Sequence, residues 1–211
     1  MVRFTNIRSL LVPLLITACA TNESTLRSRA DAGEAEAQYQ LGSMYWEGKE
    51  IDQDRNEALK WYQRAAQHGH QAAQFKVAEL YEAGQGVSQD YVRASQWYAK
   101  AAEQGDLDAQ VHLAKLYLKG SGVPQNEAES VKLLQRAAAQ KNAEAQYLLG
   151  RIYWEGRGVP RDRVQAHMWF NLAAAQGHAG AVSMRQVAAT EMDQNQLMEA
   201  QRLAVQEVKS K

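Results

Sequence analysis

Apolar, aromatic and small residues recur along this chain every 36 positions, and no gap is needed to align the copies. Each copy contains two segments in which such residues fall on one face of a helix. In the first copy, Ala37, Leu41, Gly42 and Tyr45 share one face, which predicts a helix over about residues 34–47. The second segment follows a residue that suits a helix N-cap: Asp54, Asp90, Asn126 or Asp162. The pattern therefore predicts a pair of helices in every copy.

Four full copies cover about residues 34–177, and partial copies flank them. Residues 26–33 match the end of a second helix, and residues 181–189 match a lone first helix. A last helix is expected from about Gln194, capped by Asp193. Because two adjacent helices cannot bury both apolar faces alone, stacked repeats must build the core. The sequence predicts an all-α solenoid over residues 26–191, with a capping helix and tail over 192–211.

The turns inside three copies carry glycines one residue apart, in GQGV at 84–87, GSGV at 120–123 and GRGV at 156–159, and the first copy has a degenerate GKEI at 48–51. A phosphate-binding loop is a single device that follows a strand and opens a helix. These turns are serial and follow helical patterns, so they are interpreted as helix stops and not as a nucleotide site.

Three of the predicted N-caps have an acidic or amide residue three positions later: Glu57, Glu129 and Gln165. This spacing predicts capping boxes. The second helices are expected to stop at Gly69, Gly105 and Gly177. Lys141 stands at this position in the third copy, which predicts a less favourable stop there.

The first 18 residues have the layout of a secretory leader, with Arg3 and Arg8 before a short apolar stretch that is too short to span a bilayer. The segment from Ile16 to Cys19 resembles a bacterial lipobox, and Cys19 is the single cysteine of the chain. The resemblance implies cleavage before Cys19, acylation of that residue with fatty acids such as palmitate, and a polar tether over residues 19–25. Ala20 in the next position implies an outer-membrane lipoprotein facing the periplasm or the cell exterior.

The repeat A-x3-L-G-x2-Y-x2-G-x-G-V, followed by D-x3-A-x2-W-Y-x2-A-A-x2-G, resembles the Sel-1-like repeat (SLR), a relative of the tetratricopeptide repeat. The resemblance covers residues 26 to about 205. It implies a right-handed α-solenoid and a non-enzymatic scaffold that binds a protein or peptide on its concave face. One cysteine-rich branch of the family is linked to penicillin binding and weak β-lactamase activity, which is the alternative function. That branch carries paired cysteines in each repeat, whereas this chain has one cysteine.

No catalytic motif of a hydrolase or metalloprotease occurs in the sequence, so no catalytic residue or cofactor is predicted. The closest histidine pair, His68 and His70, has no further ligands nearby in sequence and is interpreted as exposed turn residues and not as a metal site. Basic and acidic residues are balanced at 24 each, which gives no electrostatic argument for nucleic acid.

If the helices pack as in tetratricopeptide arrays, fixed positions of the first helices form the concave wall. The predicted partner-binding residues are Tyr39, Ser43, Trp46, Glu47, Phe75, Glu79, Glu82, Lys115, Lys119, Tyr147, Arg151 and Trp154. Rigid aromatic side chains are common binding anchors, and this wall is acidic in the first two copies and basic in the last two.

The five tryptophans fall into two groups. Trp61, Trp97 and Trp169 share one repeat position and are assigned to packing. Trp46 and Trp154 share another position, which varies among the copies, and two interpretations stay open for them: the binding face or packing between repeats.

Overall fold

The computed structural model describes residues 23–209, which divide into two compact units, one ending at Gln89 and the other beginning at Asp90. Unit 1 contains α1 (23–31), α2 (Ala35–Glu47), α3 (Arg55–Gln67) and α4 (Gln71–Ala83). Unit 2 contains α5 (Tyr91–Glu103), α6 (Leu107–Lys119), α7 (Glu127–Ala139), α8 (Ala143–Glu155), α9 (Arg163–Ala175), α10 (Ala179–Thr190) and α11 (Gln194–Lys209). Every regular element within the described residues is a helix, which confirms the predicted all-α class.

The predicted leader over residues 1–18 and the predicted lipidation site, Cys19, lie outside the described residues. Helix α1 begins at residue 23, so the last three residues of the predicted tether over 19–25 are helical. Leu26 and Ala30 of α1 are buried in a cluster with Ala37, Leu41 and Trp61. The segment before the first full repeat is thus part of the core of unit 1.

Neighbouring helices pack against each other within each unit. In unit 1, α2 packs on α3 and α3 on α4. In unit 2 each helix from α5 to α9 packs on the next, and α11 packs on α9. Trp61 and Trp169 are 2% and 8% exposed, as expected for packing residues. Trp97 is only half-buried, and Lys100 Nζ lies 4.1 Å from its ring centroid.

The buried glutamine that follows alanine in every copy explains why this pair recurs. Gln38, Gln74, Gln110 and Gln146 each donate a side-chain hydrogen bond to a backbone carbonyl eight residues earlier. Those carbonyls belong to the last turn of the preceding helix, where intrahelical donors are missing. Each glutamine therefore joins the start of one repeat to the end of the helix before it.

All four predicted N-caps accept a hydrogen bond from the backbone N–H of the helix that they begin. The predicted reciprocal bond of the capping box is wrong at Asp54, Asn126 and Asp162. Their own N–H groups donate instead to the carbonyls of Tyr45, Tyr117 and Tyr153, at 3.0, 3.0 and 2.9 Å. The turn thus returns to the helix that precedes it and uses the donor that a capping box would need.

Residue Gln196 does complete a capping box at the last helix. Asp193 Oδ1 accepts from the Gln196 N–H at 2.9 Å, and Gln196 Oε1 accepts from the Asp193 N–H at 3.0 Å. No preceding helix supplies a carbonyl to this N–H, so both bonds of the box form.

The second glycine of the turn is a site of close approach between repeats. A Cβ added at Gly122 would lie 2.2 Å from the backbone of Tyr91, and one at Gly158 would lie 2.7 Å from Glu127 Cβ. These contacts give the turn glycines a packing role, which agrees with their interpretation as turns. Lys141 adopts a left-handed φ of 64°, so the third repeat stops as the others do, despite its side chain.

Candidate binding groove

An open groove of about 430 Å³ lies between α6 and α8 in unit 2, and we call it the α6–α8 groove. Helix α6 contributes Lys115, Leu118 and Lys119, and α8 contributes the face that runs from Glu144 to Glu155. Arg157, in the turn that follows α8, completes the lining.

The base of the α6–α8 groove is apolar. Leu148 and Ile152 are buried, at 9% and 2% exposure, and Leu118 lies half-buried opposite them. The Tyr147 ring adds an aromatic face, with its centroid 6.0 Å from that of Phe170 and 4.4 Å from that of His178. Because these two neighbouring rings hold it in place, Tyr147 can present a rigid surface to a ligand.

Glu144 joins three elements at one side of the groove. Its carboxylate lies 2.6 Å from Lys115 Nζ on α6 and 2.8 Å from His178 Nε2 at the start of α10. Burial raises the pKa of this carboxyl, but the hydrogen bonds from Lys115 and His178 outweigh burial and hold the pKa below its ordinary value. Glu144 is therefore ionised at neutral pH and fixes the position of Lys115.

The two arginines of the groove are held differently. Arg151 pairs with Glu155 on the same helix at 2.8 Å, and this hydrogen bond raises the pKa of the arginine. Arg157 pairs with Glu127 at 2.9 Å and also donates to the Leu118 carbonyl at 3.0 Å. Arg157 thus ties its turn to α6 and α7, whereas Arg151 interacts with Glu155 and Tyr147 of its own helix.

The predicted site residues of unit 2 come together in this groove, with one difference. Lys115, Lys119, Tyr147 and Arg151 all line it. Trp154 does not line it but packs, half-buried, on the cluster of Ala166, Phe170 and Ala188. This cluster includes Ala188 of α10, which is consistent with packing between repeats, one of the two interpretations open for Trp154.

The predicted site residues of unit 1 lie on α2 and α4, where several of them already have partners. Trp46 is half-buried, with Arg55 and Lys76 at 5.1 and 5.4 Å from its ring centroid. Lys76 in turn pairs with Glu79 at 3.2 Å, and Glu47 forms an ion pair with Lys49. Glu82 and Phe75, on the same helix α4, are half-buried and also have partners.

The hydroxyl groups of unit 1 bond to each other. Tyr62 donates to Ser43 Oγ at 3.2 Å, and Ser43 donates to the Tyr39 carbonyl at 3.1 Å. Burial raises the pKa of Tyr62 to about 12. The Ser43 hydroxyl therefore donates one hydrogen bond and accepts another within the fold, and a ligand would compete with these bonds.

His70 differs from the exposed turn residue that the sequence predicted, and His178, at the equivalent position three repeats later, resembles it. Each accepts the N–H of the residue three positions later through Nδ1, so each caps a helix. Each also contacts a glutamate 34 residues earlier through Nε2 and stacks on a tyrosine of the preceding repeat. The two histidines connect consecutive repeats, and no sequence motif signalled this role.

Sequence reasoning also did not select Arg157. It follows the first turn glycine at a variable position, where the other three turns have lysine, glutamine and serine. That variation was the available signal. Among residues 23–209, no group of three or more metal-binding side chains is found, and no helix there is long and apolar enough to cross a membrane.

The repeated helical pairs define the class of protein. The family model of the Sel1 repeat matches residues 35–70, 71–106, 107–142 and 143–178. The chain therefore belongs to the Sel1 repeat family, and its fold is that of an all-α solenoid.

Solved structures with this fold are similar to the chain. A Sel1 repeat protein from Oxalobacter formigenes has a TM-score of 0.74 and 29% identity, covering 81% of this chain and 71% of that one. The protein c5321, a protective antigen present in uropathogenic Escherichia coli strains, has a TM-score of 0.72 and 41% identity, covering 75% of this chain and 34% of that one.

A curated relative shares a shorter stretch. The secretory immunoglobulin A-binding protein EsiB of Escherichia coli O6:H1 (strain CFT073) is 42% identical over 44 residues, which is 21% of this chain and 9% of EsiB. The matches thus span about a third of c5321 and less than a tenth of EsiB.

Proposed function

We propose that this Sel1 repeat protein is a non-enzymatic scaffold of the bacterial envelope that binds a segment of a partner protein. The observation that carries the proposal is the α6–α8 groove, in which apolar side chains, one rigid tyrosine and charged groups converge from two helices and a turn. Clefts with an apolar base and a few placed polar groups are typical of binding sites.

Two further findings support a binding role. The solenoid fold exposes successive first helices, and such repeats provide extended binding surfaces. The name of the relative EsiB states that it binds a protein, secretory immunoglobulin A. No observation within the described residues favours the alternative of penicillin binding.

The proposed location in the outer membrane rests on the first 19 residues. The lipobox-like segment ending at Cys19 supports a lipoprotein of the outer membrane, because several acyl chains on one residue give stable anchoring. Replacement of Cys19 by serine is expected to move the protein out of the membrane fraction of the cells used in the experiment below.

The partner can be captured by crosslinking in living cells, followed by mass spectrometry of the tagged protein. The central variant is Leu118→Glu, which blocks the apolar base of the groove. The second repeat already carries Glu82 at this position, so the substitution is compatible with the repeat. Val187→Glu is the matched control, since Val187 is 46% exposed on α10 and lies outside the groove lining.

We expect one envelope protein to be enriched by the wild type and by Val187→Glu but not by Leu118→Glu. Equal capture by Leu118→Glu would show that the groove is not the binding site. A third variant, Trp46→Ala, tests the predicted face of unit 1 in the same way. If no variant and no wild-type sample captures a specific protein, the scaffold proposal fails.

A further inference from the structure

The charges that line the α6–α8 groove are unbalanced. Four cationic side chains line it, Lys115, Lys119, Arg151 and Arg157, against the carboxylates of Glu144 and Glu155. The chain as a whole has equal numbers of basic and acidic residues, so this local excess is a property of the groove. Opposite charge on a partner would match it.

The four cations are not equally available. Lys115 is held by Glu144, and Arg157 is held by both Glu127 and a backbone carbonyl. Lys119 is exposed, and it has no ion pair or hydrogen bond among the described residues. Lys119 is therefore the cation that an incoming carboxylate can meet without breaking an existing bond.

Arg151 can supply a second contact. Its pair with Glu155 is an i,i+4 pair between side chains that are 46% and 35% exposed, and exposed pairs of this kind are weak. A partner carboxylate can replace Glu155 at little cost, and the planar guanidinium can bind it through two N–H groups.

The apolar base next to these cations needs its own match. Leu118, Leu148 and Ile152 lie beside Lys119 and Arg151 in one lining, together with the Tyr147 ring. A volume of about 430 Å³ holds a few side chains and not a domain. A polyanion such as nucleic acid would bring phosphates close to the carboxylates of Glu144 and Glu155, and this repulsion disfavours it as the ligand.

We propose that the α6–α8 groove binds an acidic peptide segment of the partner, in which carboxylates that pair with Lys119 and Arg151 flank an apolar side chain seated on Leu118, Leu148 and Ile152. The proposal rests on the scaffold function proposed above and adds the chemistry of the partner.

An array of random ten-residue peptides tests this chemistry without knowledge of the partner. The full chain, purified in detergent and fluorescently labelled, is applied to the array at low and at high salt. We expect bound peptides to be enriched in aspartate and glutamate next to leucine, isoleucine or phenylalanine. Binding should weaken at high salt, because screening shortens the range of exposed charges.

Two charge reversals show whether the groove is responsible. With Lys119→Glu, we expect about tenfold weaker binding of the selected acidic peptides in fluorescence anisotropy, since an attractive pair becomes a repulsive one. The control is Lys132→Glu on α7, which changes the net charge equally but lies outside the groove lining. The control should bind within about twofold of the wild type.

The outcomes distinguish the acidic-peptide proposal from the scaffold proposal. Selection without enrichment in acidic residues, or equal weakening by Lys132→Glu, overturns the acidic-peptide proposal. If Leu118→Glu still abolishes capture of an envelope protein in cells, the scaffold function stands and only the partner chemistry is wrong. If neither peptides nor a cellular protein bind, both proposals fail.

Discussion

The contact between Gly150 of α8 and Phe170 of α9 allows the repeat pattern to be tested by a double-mutant cycle. A Cβ added at Gly150 would lie 2.5 Å from Cδ1 and Cε1 of Phe170, which is fully buried. The third repeat solves the same contact differently, with Ala114 and Leu134 at the equivalent positions. The third and fourth repeats thus use alternative pairs, whereas the second repeat accommodates Ala78 opposite Tyr98. At Gly150 the ring lies too close for an added methyl group, so we expect a mixed pair to fit poorly in the fourth repeat.

The packing around Gly150 and Phe170 sets the expected losses in the free energy of unfolding. Gly150→Ala should cost about 3 kcal/mol through overpacking and regain about 1 kcal/mol from helix propensity, a net loss of about 2 kcal/mol. Phe170→Leu should cost about 1.5 kcal/mol, because it leaves a cavity in the core. In the double variant the added methyl group fills the space that leucine leaves, so the total loss should be about 1 kcal/mol, against about 3.5 kcal/mol for independent effects.

The assay is urea unfolding followed by circular dichroism, with all four proteins compared at a common slope. A coupling of about 2.5 kcal/mol in favour of the double variant is expected. If the losses of the two single variants add in the double variant, the two side chains do not compensate for each other. The proposal that the fourth repeat can take the residue pair of the third is then wrong. The reciprocal pair in the third repeat is a control, since Ala114→Gly should relieve the strain caused by Leu134→Phe.

Two further predictions concern a turn and a buried phenol. Gly122→Ala should lower the free energy of unfolding by about 3 kcal/mol, because a positive φ and contact with the Tyr91 backbone act together. Gly105→Ala, with a positive φ but open space around it, should cost about 1 kcal/mol. Equal urea midpoints for the two variants would show that the close approach to Tyr91 is not the cause. The pKa of Tyr62 is raised to about 12, so its neutral form stabilises the fold below pH 10, and this stabilisation is lost as the pH rises from about 10 to about 12. Tyr62→Phe should flatten that loss in unfolding experiments at pH 9 to 11.5, and an unchanged slope would assign the alkaline sensitivity to other groups.

The capping and stopping residues were predictable because they act locally. Each N-cap needs only a polar side chain before an apolar helical pattern, and the Asp162 carboxylate accepts the N–H of Gln165 as expected. The period of 36 residues showed which positions are equivalent, and hence the number of repeats. It could not show that the Asp162 N–H donates to the Tyr153 carbonyl, because the path of the turn decides that bond.

The candidate site was predictable in part. Lys115, Lys119, Tyr147 and Arg151 were selected because they occupy the first-helix positions that form the concave wall in tetratricopeptide arrays, and all four line the groove. Arg157 was missed because it belongs to a turn, and its partners lie 30 and 39 residues earlier. Trp154 matches Trp46 in sequence, yet it packs on the cluster around Phe170 and does not line the groove.

By itself, the sequence of this chain determined the class of the fold, the repeat length, and the start and end of most helices. These follow from periodicity and from short-range hydrogen bonding, which depend on residues a few positions apart. Only the tertiary structure decided which side chains bond to one another, as Glu144 does to Lys115 and His178. Such bonds join residues about one repeat apart, and their formation depends on how closely stacked helices approach, which no local pattern encodes.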